Sequence, residues 1–134
     1  MQIAWKDEYD LGIASIDAQH RKIIDIINGL AKFMKQDASS EDVARTIEGM
    51  HRYAEEHLAY EERLFEECGY AETDDHREEH DTFRETIAEF RERMRANNPI
   101  VAIELLGYLE DWLLGHILVS DRKYVETFNS YGVR

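Results

Sequence analysis

The sequence predicts an all-α protein, an up-down-up-down antiparallel four-helix bundle preceded by an N-terminal arm. Three observations carry that expectation. Apolar residues recur at 3-4 spacing through four long segments, the signature of amphipathic helices with one buried face. One proline and seven glycines in 134 residues, among abundant Glu, Leu, Ile and Ala, leave few helix breakers. The stretches between the four segments are short, and short connections make successive helices antiparallel neighbours.

Residues 1–15 show no helical period, but Ile3, Trp5, Tyr9, Leu11 and Ile13 are apolar enough for the segment to pack on the domain as an arm. The first helix is expected over about 16–36, with Ile16, His20, Ile23, Ile24, Ile27, Leu30, Ala31 and Met34 on its inner face. Asp37-Ala38-Ser39-Ser40 reads as a loop with N-capping chemistry. The second helix, about 41–67, opens with Glu41 and Asp42, which the helix dipole favours there. Its stripe is Val43, Ile47, Met50, Ala54, His57, Leu58, Glu61, Leu64 and Phe65, and Gly69 stands where a left-handed C-terminal cap belongs.

Thr73, Asp74 and Asp75 offer caps for the third helix, about 74–96, whose stripe is His76, His80, Phe83, Ile87, Phe90 and Met94. Asn97-Asn98-Pro99 ends it, and the proline can occupy the first position of the fourth, about 99–128. That helix carries Ala102, Leu105, Leu106, Leu109, Trp112, Leu113, His116, Ile117, Tyr124 and Val125 inward. Residues 1–134 are expected to form one domain, a length that suffices for a single core.

A formal charge of −13 disfavours nucleic acid and anionic membranes as partners, since both would repel the chain. No run approaches the roughly 20 apolar residues of a membrane span, and the first residues lack an apolar stretch of signal length. A cytoplasmic protein is expected. Cys68 is the only cysteine, which excludes an internal disulfide and a thiolate-based zinc site.

Polar side chains within an apolar stripe are costly to bury unless something satisfies them. Six occur here: His20, His57, Glu61, His76, His80 and His116. Two pairs, His57 with Glu61 and His76 with His80, are four residues apart, a rotation of about 400° that puts both members on one helix face. In an antiparallel bundle the start of the first helix, the end of the second, the start of the third and the end of the fourth lie at one end. All six polar residues occupy those positions, so they converge on one level and point to a metal site. Asp121 follows His116 by five residues, about 140° away on an ideal helix. It either reaches the core from the flank or is solvated.

Five imidazoles and two carboxylates exceed what one octahedral ion accepts, which implies two metals. If both carboxylates and one solvent-derived oxygen bridge, there are eleven contacts for the roughly twelve positions of two octahedra. One position stays open for a small ligand. Histidine and carboxylate ligation without thiolate suits iron better than copper(I) or zinc.

The segments IDAQH, HLAYEE, HREEH and WLLGHILVSD, together with Trp5, resemble the hemerythrin family, in its bacterial single-domain form, over nearly the whole chain. The resemblance implies His76, His80 and His116 on one iron, His20 and His57 on the other. Glu61, Asp121 and an oxo or hydroxo group would bridge the two ions, which cycle between Fe2+ and Fe3+. It also makes Asp121 a ligand and assigns the open position to the two-histidine iron, where the family binds O2 reversibly as a hydroperoxide. Leu113 and Ile117 would then wall the O2 pocket or serve as ordinary core.

The expected function is therefore reversible O2 binding, for carriage, storage, delivery or sensing, by a protein that is not an enzyme beyond weak oxidase or peroxidase side activity. The alternative is a di-iron enzyme, an oxidase, peroxidase or NO or iron handler, on the same scaffold. Ferritin-like di-iron sites use two Glu-x-x-His motifs. Only Glu48 and His51 show that spacing, and they point away from the stripe. A monomer or weak oligomer is expected, and a sensing role would need a separate protein partner.

Overall fold

The computed structural model describes residues 3–35, 40–95 and 99–134, with the side chains at 35, 40, 95, 99, 117 and 118 outside the description. The loop expected at Asp37-Ala38-Ser39 and the stop expected at Asn97-Asn98 lie outside the described residues. Four long helices form, α1 (Ala14–Lys35), α2 (Ser40–Cys68), α3 (Thr73–Arg95) and α4 (Pro99–Gly115), with a short α5 (Val125–Ser130) at the end. Helix α1 packs against α2 and α4, and α3 packs against α2 and α4. Successive helices run antiparallel, giving the up-down-up-down bundle that the stripes predict.

The arm is fastened by polar groups. Ile3 donates its N–H to Asn28 Oδ1 at 2.7 Å, and Asn28 Nδ2 returns a bond to the Ile3 carbonyl at 2.8 Å. Trp5 meets Tyr9 edge to face, while the Arg21 guanidinium lies 4.2 Å from the Trp5 ring centroid, a cation–π contact. Asp17 accepts from the Leu11 and Gly12 N–H groups at 2.9 and 3.2 Å, which turns the chain into α1.

Helix α2 ends in a Schellman motif. Gly69 adopts φ 61°, and Tyr70 donates its N–H to the Phe65 carbonyl at 3.0 Å. The Tyr70 and Phe65 rings lie 5.2 Å apart, the apolar contact that accompanies this cap. Thr73 Oγ1 then bonds the Tyr70 carbonyl at 2.6 Å as α3 begins. This compact turn fixes the end of α2 against the start of α3, where His57, Glu61, His76 and His80 must meet.

The chain differs from the expectation of one continuous fourth helix over 99–128. After Gly115 the backbone widens into a π turn, His116–Ser120, tightens into a 3-10 turn, Asp121–Tyr124, and resumes as α5. Asp121 donates its N–H to the His116 carbonyl, the i→i+5 bond that defines a π turn. A five-residue step in such a turn returns to nearly the same face. The 140° offset that an ideal α-helix would impose between His116 and Asp121 is thereby removed.

Two apolar clusters fill the interior. One holds Ile23, Ile24, Ile27, Leu30, Ile47, Met50, Ala54, Phe83, Ile87, Leu105, Leu109 and Leu113, and the other Leu11, Ile13, Ile16, Leu64, Phe65, Tyr70, Tyr124 and Phe128. On each helix the polar residues fall between them: His20 separates Ile16 from Ile23, and His76 and His80 separate Tyr70 from Phe83. The polar level is thus closed off on both sides along the bundle axis. No helix among the described residues is long and apolar enough to cross a membrane.

Candidate metal centre

All seven sequence-predicted ligands, His20, His57, Glu61, His76, His80, His116 and Asp121, come together and are at most 4 % exposed. Their ligand atoms fall into two groups that could each hold an ion. Glu61, His76, His80 and His116 form one, and His20, His57, Glu61 and Asp121 form the other, with atoms in each group within 4.8 Å of one another. Glu61 belongs to both. Asp121 reaches across as well: its Oδ1 lies 2.8 Å from His116 Nε2 and 3.1 Å from His76 Nε2, and its Oδ2 lies 2.9 Å from His20 Nε2. On the other side Glu61 Oε1 lies 3.1 Å from His57 Nε2 and 3.4 Å from His80 Nε2.

These distances are short, and with neutral imidazoles hydrogen bonding does not account for them. Both oxygens of Glu61 and of Asp121, and Nε2 of His20, His57 and His80, lack a hydrogen-bond partner among the described residues. Outward contacts explain why. His57 Nδ1 lies 2.6 Å from Gln19 Oε1 and His80 Nδ1 lies 2.8 Å from Glu62 Oε2, so each of these nitrogens donates to an acceptor. In a neutral imidazole the Nε2 atom then carries a lone pair, turned toward a carboxylate oxygen that also offers lone pairs. Acceptors facing acceptors in a dry interior are costly unless a cation lies between them. The donor set therefore fits metal ions.

Aromatic packing fixes the rings. Trp112 stacks on His116 with centroids 4.5 Å apart and planes inclined by 13°. Phe65 touches His76 at 4.8 Å and His80 at 6.2 Å between centroids. Ser120 Oγ donates to Glu79 Oε1 at 2.5 Å, tying the π turn to α3 beside His80 and Asp121. Ser120→Ala is expected to lower stability by about 1 kcal/mol, read as a shifted urea midpoint at unchanged slope.

The charges are strongly interdependent. Burial alone would raise the Glu61 carboxyl, but His57 above all, with His116 and His80, holds it well below the usual carboxylate range. Asp121 is likewise depressed: burial and Glu61 push it up, and His116 and His20 more than offset them. Burial would lower His116, yet Asp121 and then Glu61 push it up to about 10. Tyr124, packed at 5.7 Å from His76 between ring centroids, is raised well above its ordinary value by burial and by Asp121 and Glu61.

It follows that at neutral pH the metal-free centre holds a proton on His116, which an incoming ion must displace. Metal uptake in weak buffer is expected to acidify the solution, and apparent affinity to fall as pH falls, as measured by pH-stat titration at several pH values. The metal-free fold has the opposite alkaline dependence. His116, raised from 6.5 to about 10, contributes fully below about 6.5 and loses its contribution as pH climbs toward 10. Glu61, depressed from 4.5, contributes above that value and fails below it.

Among the other predicted residues, Leu113 is buried in the larger apolar cluster, one turn before His116. The Ile117 side chain lies outside the described residues. The sixth histidine, His51, is half-buried and belongs to neither group, and Glu48 is paired with Arg91 at 2.7 Å. Sequence reasoning passed over Gln19, Glu62 and the Ser120–Glu79 clamp. Gln19 and Glu62 each adjoin a predicted ligand in sequence, His20 and Glu61, and that adjacency was the available signal.

Residues 11–128 match the family described as the hemerythrin HHE cation binding domain. A bacteriohemerythrin of Pseudomonas paraeruginosa is 36% identical over 124 residues, covering 92% of this chain and 80% of that protein. One of Stenotrophomonas maltophilia is 35% identical over 131 residues, covering 96% and 83%. A crystal structure of wild-type hemerythrin superposes with a TM-score of 0.85 at 22% identity, covering 96% of this chain and 98% of that one, which speaks to the fold.

Proposed function

The chain belongs to the hemerythrin family, and on that premise we propose that it binds O2 reversibly at a pair of iron ions held between the two apolar clusters. The observation that supports this most is the unequal division of the imidazoles. His76, His80 and His116 gather with Glu61, whereas His20 and His57 share their group with Glu61 and Asp121. On this reading the first three histidines hold one iron and the other two hold its neighbour. Glu61 and Asp121 span both, as their contacts with histidines of both sets suggest.

When bound, the iron pair supplies the two electrons that reversible O2 uptake requires. The protein supplies the rest. The two-histidine side has fewer donors and so is where a small ligand has room. On this reading Leu113 supplies apolar wall to that side, with Ile117 as the second candidate from the sequence, and the clusters above and below exclude water that would promote irreversible oxidation. A carrier is favoured over a di-iron enzyme because the only Glu-x-x-His spacing, Glu48 to His51, contributes nothing to the centre. The net charge of −13 disfavours nucleic acid and anionic lipid as partners.

Reconstitution with ferrous iron without oxygen, followed by cycles of O2 addition and removal, tests the proposal. Two irons per chain and visible absorption that appears with O2 and fades on its removal are expected. Bleaching that never reverses, or no response to O2, would contradict it.

A further inference from the structure

The five imidazoles differ on their outward side. His80 Nδ1 donates to Glu62 Oε2 at 2.8 Å, and Arg84 Nη2 donates to that same oxygen at 2.9 Å. Arg84 is itself braced by Glu55 at 2.9 and 3.2 Å and by Asp81 at 3.0 Å. His57 Nδ1, in contrast, donates to the amide oxygen of Gln19 at 2.6 Å. The Nδ1 atoms of His20 and His116 have no partner among the described residues.

A carboxylate behind an imidazole fixes its tautomer and raises its basicity toward a metal; a neutral amide orients the ring without adding charge. His80 sits in the group with three imidazoles and His57 in the group with two. We propose that Glu62, moderated by Arg84, and Gln19 are positioning residues that make the two metal sites electronically unequal. Glu62 enriches the His76, His80 and His116 site and thereby favours its higher oxidation state. Gln19 holds His57 in place and leaves its site poorer in electrons. Arg84 sets how much of the Glu62 charge His80 feels, since both contact one oxygen.

This inference rests on the di-iron reading and is tested on the iron-loaded 134-residue chain by two measurements, the midpoint potential from spectroelectrochemical titration and the rate of iron loss to a chelator. Glu62→Gln keeps an acceptor for His80 but removes the charge. Its potential is expected to rise and its iron loss to accelerate about tenfold, within the range for such outer partners. Arg84→Gln leaves the Glu62 charge unscreened and is expected to lower the potential. Gln19→Glu places a charge behind His57 and is expected to lower it too.

Opposite shifts for Glu62→Gln and Arg84→Gln support the inference, because loss of a merely structural contact would loosen iron in both without ordering the potentials. Shifts of the same sign, or none, would overturn it while leaving the di-iron reading intact. A wild-type chain that takes up no iron pair would overturn both.

Discussion

Glu61→Ala is expected to abolish paired metal binding. Glu61 is the one residue common to both ligand groups, it is fully buried, and neither of its oxygens has a hydrogen-bond donor to compensate for an absent cation. On the di-iron proposal, removing it would strip a ligand from each ion at once and leave His57 and His80 facing an empty space between them. Metal content by elemental analysis should fall from two irons per chain to one or fewer, and what remains should exchange rapidly with a chelator. His57→Ala should do less, since it touches only one group. Retention of both irons by the Glu61 variant would show that the carboxylate is a buried ion-pair partner and not a shared ligand.

Phe65→Ala carries the largest expected cost in folding. Phe65 is fully buried and touches Tyr70, Tyr124 and Phe128 as well as the rings of His76 and His80. Deleting a buried aromatic ring of this kind removes its transfer energy and leaves a cavity, together about 3–5 kcal/mol. Because the same ring backs two histidines and supplies the apolar contact of the α2 cap, the loss should be felt at the centre also. Urea unfolding of the metal-free chain is expected to show the lower midpoint at unchanged slope, and the iron-loaded chain a faster release of iron. A loss well under 1 kcal/mol would mean that the cluster beyond the ligand layer is loosely packed.

The bundle and the level of the polar residues were legible in the sequence because both follow from periodicity. A histidine at a stripe position cannot be tolerated without a partner, and His20, His57, His76, His80 and His116, alternately near the starts and ends of successive helices, all fall at the same end of the bundle. The turn at Gly69 was equally plain, since a glycine after an amphipathic run has one common use there. The π turn was not legible. Nothing in HILVS distinguishes it from an ordinary α-helical turn, and its register is set by tertiary contacts, Trp112 stacked on His116 and Ser120 bonded to Glu79. The five-residue gap to Asp121 was the only hint, and on an ideal helix it pointed away from the core. Glu62 and Arg84 were hidden for a related reason: exposed carboxylates and guanidinium groups are abundant in a chain this charged, and only the fold shows which one stands behind His80.

The acceptor-rich layer, the shared Glu61 and the unequal imidazoles all support the proposal that this chain holds two iron ions between its apolar clusters. Anomalous diffraction at the iron edge from crystals of the iron-loaded protein tests it most directly. Two peaks per chain are expected, one enclosed by His76, His80 and His116, the other by His20 and His57, with Glu61 and Asp121 touching both. A single peak, or peaks away from these residues, would contradict it.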